Sequence, residues 1–234
     1  MSAATLPRVL NLALPIERLL PGALVAFADR RLRQRAGARF GLLYAVGIGV
    51  SYGILVLIAA SADGDRAARA LIVRALGTAT WVVAGLISLS LAADWNRLDD
   101  RDGVLGLLRL RGLPVESLEV ARCFAAARRI ALLVALPTLL CCALAGARVR
   151  SLGSAGELVA MALAASAYAC LLGAGASVLA LAARLLVPSS GRLLLIGLVL
   201  LPHAARELWP SMPSVPSTLS WLIAVVGRAG GVGA

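Results

Sequence analysis

The sequence predicts an all-α polytopic membrane protein, and three observations carry that prediction. Hydrophobic residues make up 60% of the 234, charged residues only 15%, and the mean hydropathy is +0.90. A soluble chain of this size needs more polar surface than that. The second observation is a series of uncharged stretches near twenty residues long, enough at ~1.5 Å per residue to cross a ~30 Å hydrocarbon core. The third is the placement of arginine. All 23 basic residues are Arg, and they gather in alternate connecting segments. That pattern is the positive-inside bias of a membrane protein, so the formal charge of +11 sets orientation and implies no nucleic-acid partner.

The elements follow in order along one transmembrane domain, 1–234. Residues 1–39 include "LLPGALVAFADRRLRQRAGAR", with Pro21 placed to open a helix, an apolar first half and a basic second half. This reads as an amphipathic helix in the cytoplasmic interface. No cleavable signal peptide is expected, because Pro15, Glu17 and Arg18 break the first apolar stretch. Spans one and two, within 40–93, are Phe40–Ala62 and Ala75–Ala93. A cytoplasmic segment, 94–129, separates them from spans three to six in 130–234. Span three is Ile130–Ala147, whose Pro137 neighbouring helices can accommodate. Span four is Leu158–Ala183. Span five is Leu193–Ala205, extendable to Trp209 if Arg206 and Glu207 reach the interface. Pro210, Pro213 and Pro216 forbid a straight helix after it. A sixth span is expected from about Ser217 to the C-terminus, with Arg228 near its inner end.

With the N-terminus inside, 17 arginines fall on the inner side and six on the outer. Six spans then put both termini in the cytoplasm. Trp81, Trp95, Trp209 and Trp221 lie near span ends, as an interfacial aromatic belt requires. The expected surroundings are membrane lipid.

Composition also excludes chemistry. Without Lys the chain can build neither a Walker A phosphate loop nor a Schiff base. A single His, His203, excludes multi-histidine metal sites, and Cys123, Cys141, Cys142 and Cys170 lack metal-site spacing. No Asp or Glu sits in the middle of a span, where a proton- or cation-coupled transporter needs one. No catalytic residue and no bound cofactor are expected on this chain.

The charged island Asp99–Arg129 is the exception to all this oiliness. Val104, Leu107, Leu108 and Arg111 recur at helical spacing, so Gly103–Arg111 is expected to form a short amphipathic helix. Gly112-Leu113-Pro114 stops it. A second helix begins near Pro114, with Glu116 and Glu119 early and Arg122, Arg128 and Arg129 later, an order that suits the helix dipole. It runs on into span three. Leucines on a wet surface mark contacts, although a solvated loop would carry the same charges.

Asp99-Asp100, Asp102-Gly103, Leu105, Leu108, Leu113-Pro114 and the basic Arg122 together resemble the cytoplasmic coupling segment of type-2 ABC exporter permeases. Within that family the run is most similar to the haem-exporter-type permease of cytochrome c maturation. That permease likewise carries a Leu-Pro followed by small residues ending in Gly, as in Leu136-Pro137 to Gly146. Arg122 stands where the family has Lys, and the last span is short and Gly-rich. The resemblance implies a permease that pairs with a second copy or a homologous permease and with separate ATPase subunits, which hold ATP and Mg. It implies an ATPase-coupling surface at Asp102, Gly103, Leu105, Leu107, Leu108, Arg109, Arg111 and Pro114, Leu107 and Leu108 inserting into the ATPase. The cargo would be hydrophobic or amphipathic, with haem as a candidate substrate only.

Other features have alternatives beside them. Ala165, Ala169, Gly173 and Ser177 on span four, and Gly49 and Gly53 on span one, are small-residue stripes for helix packing within the chain or between subunits. His203 is a candidate haem ligand or an ordinary interfacial histidine. Ser177 with His203 could form an intramembrane serine hydrolase dyad, but Val178 stands where a rhomboid-type pattern has Gly. Arg66, Arg69 and Arg74 with Asp63 and Asp65 form an outer loop of solvated ion pairs or a surface for an acidic partner. The competing function is a non-transporting membrane anchor or regulatory subunit.

Overall fold

The computed structural model describes residues 22–61, 64–93, 95–110, 112–148, 152–205 and 214–232, with Asn96, Arg97, Arg109, Leu152 and His203 described in backbone alone. Helix is the only regular structure among them. The helices are α1 (Gly22–Arg33), α2 (Ala36–Ser61), α3 (Asp65–Ala79), α4 (Gly85–Leu91), α5 (Asn96–Arg101), α6 (Val104–Leu110), α7 (Val115–Gly146), α8 (Leu152–Leu186), α9 (Gly191–Ala205) and α10 (Val215–Ala229). A π-helical stretch, Thr80–Ala84, joins α3 to α4, so the two form one rod.

Four rods are long and apolar enough to cross a membrane: Ala36–Ser61, Asp65–Leu91, Val115–Gly146 and Gly153–Leu186. The chain is thus an α-helical membrane protein in which these rods match the first four expected spans. The second rod starts ten residues before the expected Ala75, because Arg66, Arg69 and Arg74 lie on its opening turns rather than in a loop. Large apolar residues such as Leu43, Ile58, Leu163 and Leu171 stay on the outside of the bundle, where hydrocarbon can solvate them.

Helix α7 is the axis, packed by α1, α2, α3 and α8. Small residues set its closest crossings. A Cβ on Gly173 would overlap the carbonyl oxygen of Ala127, and one on Gly53 would lie 2.9 Å from Leu144 Cδ1. Gly49 faces the backbone of Pro137, where a Cβ would sit 3.6 Å from its Cα. Ala165, Ala169 and Ser177 are buried beside Gly173. Both small-residue stripes are therefore occupied by packing inside the chain. At the π stretch the Thr80 hydroxyl donates to the Leu76 carbonyl at 2.8 Å and lies 3.1 Å from the Tyr168 hydroxyl of α8. That side-chain pair covers polar groups that the wide turn leaves in the bundle interior.

The last two helices differ from the sequence expectation. Each has 15 residues, about 22 Å of helix, short of a full crossing. Pro202 lies inside the C-terminal half of α9, and Pro216 lies at the start of α10 behind a Ser214–Ser217 capping box. The segment 206–213 between them lies outside the described residues. Helix α9 begins beside Ala92 and Arg184, at the end of the bundle that carries the charged island. Helix α10 ends at the opposite end, where Arg69 donates to the Gly230 carbonyl at 3.2 Å and pairs with Glu157. The expected fifth and sixth spans are therefore not matched by rods long enough to cross a membrane, unlike the first four. The end of α10 lies with the α2–α3 and α7–α8 connections, opposite α1. The reason is a long-range contact: Arg69 is buried and needs acceptors, and Glu157 together with the open carbonyl at the helix end supplies them.

Candidate functional site

The island forms a small module at one end of the bundle, built from α1, α5, α6 and the first turns of α7. Gly103 and Gly112, with φ of 70° and 65°, take the left-handed conformation that ends one turn and frees the chain to begin the next. Between them α6 is amphipathic. Val104 and Leu108 are buried against Leu118 of α7, with Leu24 of α1 and Leu113 packed alongside. A second contact, Ala28 of α1 on Ala121 and Ala125, holds α1 along α7.

That packing reassigns the predicted contact residues. Leu108, 6% exposed, belongs to the module's own core and is not free to enter a partner. Its side of α6 is the one that Val104 shares, and the short helix can bury only that face. The outward leucines are Leu107, 60% exposed, and Leu110, 85% exposed. Leu105 is half-buried, and Asp102, Gly103 and Pro114 are exposed. The Arg109 side chain and Arg111 lie outside the described set.

Under α6 lies a chain of charges. Asp99 is fully buried and accepts a hydrogen bond from Arg31 Nη1 at 3.1 Å, while its other oxygen pairs with Arg122 Nη2. Arg122, also buried, reaches Glu119 at 3.0 Å, and Glu119 pairs in turn with Arg184 near the end of α8. Arg31 closes the other side by pairing with Asp102. The charges thus run from Asp102 and Asp99, through Arg31 of α1 and Arg122 and Glu119 of α7, to Arg184 of α8.

Trp95 sits in this network. Its indole N–H donates to the Ser90 carbonyl at 3.1 Å. The Arg35 and Arg122 guanidiniums lie 4.3 Å and 4.6 Å from its ring, both within cation–π range. Burial, followed by the neighbouring charges of Arg31, Arg192 and Arg122, lowers the Arg35 pKa, and Asp99 opposes them. An arginine stays charged under such a shift, so the cluster is a permanent set of positive groups held by few carboxylates. Burying them costs desolvation, which the ion pairs and the Trp95 ring offset in part, while Arg184 Nη1 and Glu119 Oε2 stay buried with no hydrogen-bond partner among the described residues.

A second cluster lies on the far face of α1. Asp29, buried, accepts from Arg33 Nε at 2.9 Å and faces Arg128 and Arg129 of α7 at 3.5 Å and 3.7 Å.

Of the network members, Asp99, Glu119 and Arg122 stand out in the sequence as parts of the island. Trp95, Arg31, Arg35 and Arg184 do not, because they come from three separate segments that only the fold brings together. The remaining expectations fall elsewhere. His203 lies on the last turn of α9 with its side chain outside the described set. The Ser177 hydroxyl donates to the Ala174 carbonyl at 3.0 Å and accepts from Cys123 Sγ at 3.4 Å. Comparison with protein families, with curated proteins and with solved structures finds no match to this chain.

Proposed function

We propose that the chain is the transmembrane permease subunit of an ABC-type exporter, driven by separate ATPase subunits. The observation that supports this best is α6: a short helix fixed by a buried face and two left-handed glycines, with Leu107 and Leu110 turned away from the protein below the membrane end. Exposed leucines beside arginines and acids suit an apolar cleft in a cytoplasmic partner. Closure of that partner would push α5 and α6. The ion chain Asp102–Arg31–Asp99–Arg122–Glu119–Arg184 would pass the displacement to α1, α7 and α8 as one body. ATP and Mg belong to the partner, and the chain itself only binds, positions and moves.

In this reading the bundle crosses the bacterial inner membrane with the island in the cytoplasm, and α9 and α10 divide the last crossing between them. A second copy or a homologous permease completes the pathway. The apolar outer surface of α2, including Phe40, Leu43 and Tyr44, is available for it or for lipid. The cargo is hydrophobic or amphipathic, since the stretches 40–62, 75–93, 130–147 and 158–183 carry no charged residue.

A photocrosslinker placed at Leu107 or Leu110 tests the proposal. In native membranes it should capture a nucleotide-binding polypeptide, while the same group at Leu163, on the lipid-facing side of α8, should not. Capture of no such polypeptide at either α6 position, with the chain intact and expressed, would overturn the coupling role.

A further inference from the structure

Between α1 and the start of α7 lies a half-open cleft of about 760 Å³. Its polar wall is Arg30, Arg33 and Arg128, and its apolar wall is Val25, Ala26 and Phe124. Asp29 is the carboxylate in it, and it is shared among three guanidiniums: Arg33, Arg128 and Arg129. One carboxylate neutralises one of them. Each guanidinium has five N–H donors, so most remain unspent. Arg129 Nε is buried with no partner among the described residues. Arg30, exposed, adds a further positive charge.

Charge alone would suit many anions, but the second wall narrows the choice. Phe124 is half-exposed directly beside these arginines, less than two turns before the uncharged part of α7 begins at Ile130. An aromatic ring at that level, next to cations, meets the boundary between headgroups and acyl chains. We propose that this cleft holds the headgroup of an anionic phospholipid. Arg30, Arg33 and Arg128 take the phosphate, and Phe124 and Val25 lie against the first methylenes of the acyl chains. The phosphate supplies the acceptors that Asp29 cannot, and guanidinium forks match its geometry. Basic pockets between helices at the membrane surface bind such headgroups for the same reason. The lipid would then be part of the joint that fixes α1 to α7, on the face opposite the ion chain.

The test uses the full chain purified into micelles containing equal amounts of phosphatidylglycerol and phosphatidylcholine, with bound lipid read by native mass spectrometry. The wild type should retain phosphatidylglycerol in preference to phosphatidylcholine. Arg30→Gln, which removes an exposed side chain and leaves the Asp29 pairs in place, should reduce that preference roughly fivefold, the effect of one basic residue near an anionic surface. Arg33→Gln with Arg128→Gln should abolish most of it. Arg39→Gln with Arg101→Gln removes two exposed charges from the same end outside the cleft and should leave the preference intact. An equal loss in that control would reduce the effect to general surface charge and overturn the site. Displacement of the lipid by inorganic phosphate alone would make the cleft a free-anion site and overturn the lipid assignment. Equal retention of both lipids by the wild type would do the same, whatever the variants do.

Discussion

Replacing Asp99 by Ala would remove the central anion of the buried network. Arg122 would keep Glu119 and the Trp95 face, and Arg31 would keep Asp102 at the surface. Removing one partner of a buried ion pair costs about 3–5 kcal/mol, because the other charge is left uncompensated in a dry site. The surviving contacts put Asp99→Ala at the lower end, about 3 kcal/mol, or more than a hundredfold in a local opening equilibrium. The loss should fall on the module and not on the bundle, since the spanning rods are held by apolar packing. Hydrogen exchange in micelles reads this directly. Amides near Leu32 in α1 and Ala121 in α7 should lose protection by about that factor, while amides around Ala45 and Ala169 should not. Asp102→Ala removes an exposed partner of the same Arg31 and should cost ~0–1 kcal/mol. In a double-mutant cycle, Arg122→Met should recover part of the Asp99→Ala loss, because the orphaned charge goes with it. Equal, small effects of Asp99→Ala and Asp102→Ala would refute the reasoning, since burial would then be making no difference.

Gly173→Val should lower the thermal unfolding midpoint in detergent, by an overpacking cost of about 1–3 kcal/mol, because the new side chain meets the Ala127 backbone. Gly112→Ala meets open space but must hold φ near 65°, so about 1–2 kcal/mol of strain should loosen α6 alone, visible as faster proteolysis beside it. In a background free of native cysteines, Val232→Cys should react with an impermeant thiol reagent from the same side as Ser61→Cys. Gln34→Cys should react from the other side. Labelling of Val232→Cys and Gln34→Cys from one side would restore an even number of crossings.

The legible part of the fold was the part governed by burial length and charge. Phe40–Ala62 and Leu158–Ala183 are uncharged runs, and each matches a rod to within a few residues apart from the helical extensions of α8. The same rule fails at the C-terminal region. There the prolines announce a break, but Arg69, more than a hundred residues earlier, decides which end of the bundle receives the last turn. A long-range pair of that kind leaves no local signal. The island was partly legible for a similar reason. Helical spacing places Val104, Leu107 and Leu108 on one short helix, yet it cannot say which leucine faces the protein. Leu118 and Leu24 settle that, turning Leu108 inward and leaving Leu107 and Leu110 outside. Asp99 and Arg122 could be singled out in sequence, but their burial depends on Trp95 and Arg184, which sit at the ends of two other rods.

The central claim is that the outward face of α6 docks an ATPase, and matched co-purification of that ATPase with substituted chains tests it most directly. Burying Leu107 in a partner cleft contributes ~1.5–3 kcal/mol before association costs, and Leu107→Glu would also place an unpaired charge there. Leu107→Glu and Leu110→Glu should each lower recovery by at least about tenfold at unchanged expression and unchanged module protection. Leu108→Glu should instead disrupt the contact with Leu118, and should lower recovery only together with loss of protection in the module. Full recovery of the ATPase with Leu107→Glu and Leu110→Glu combined, and with transport intact, would contradict the account.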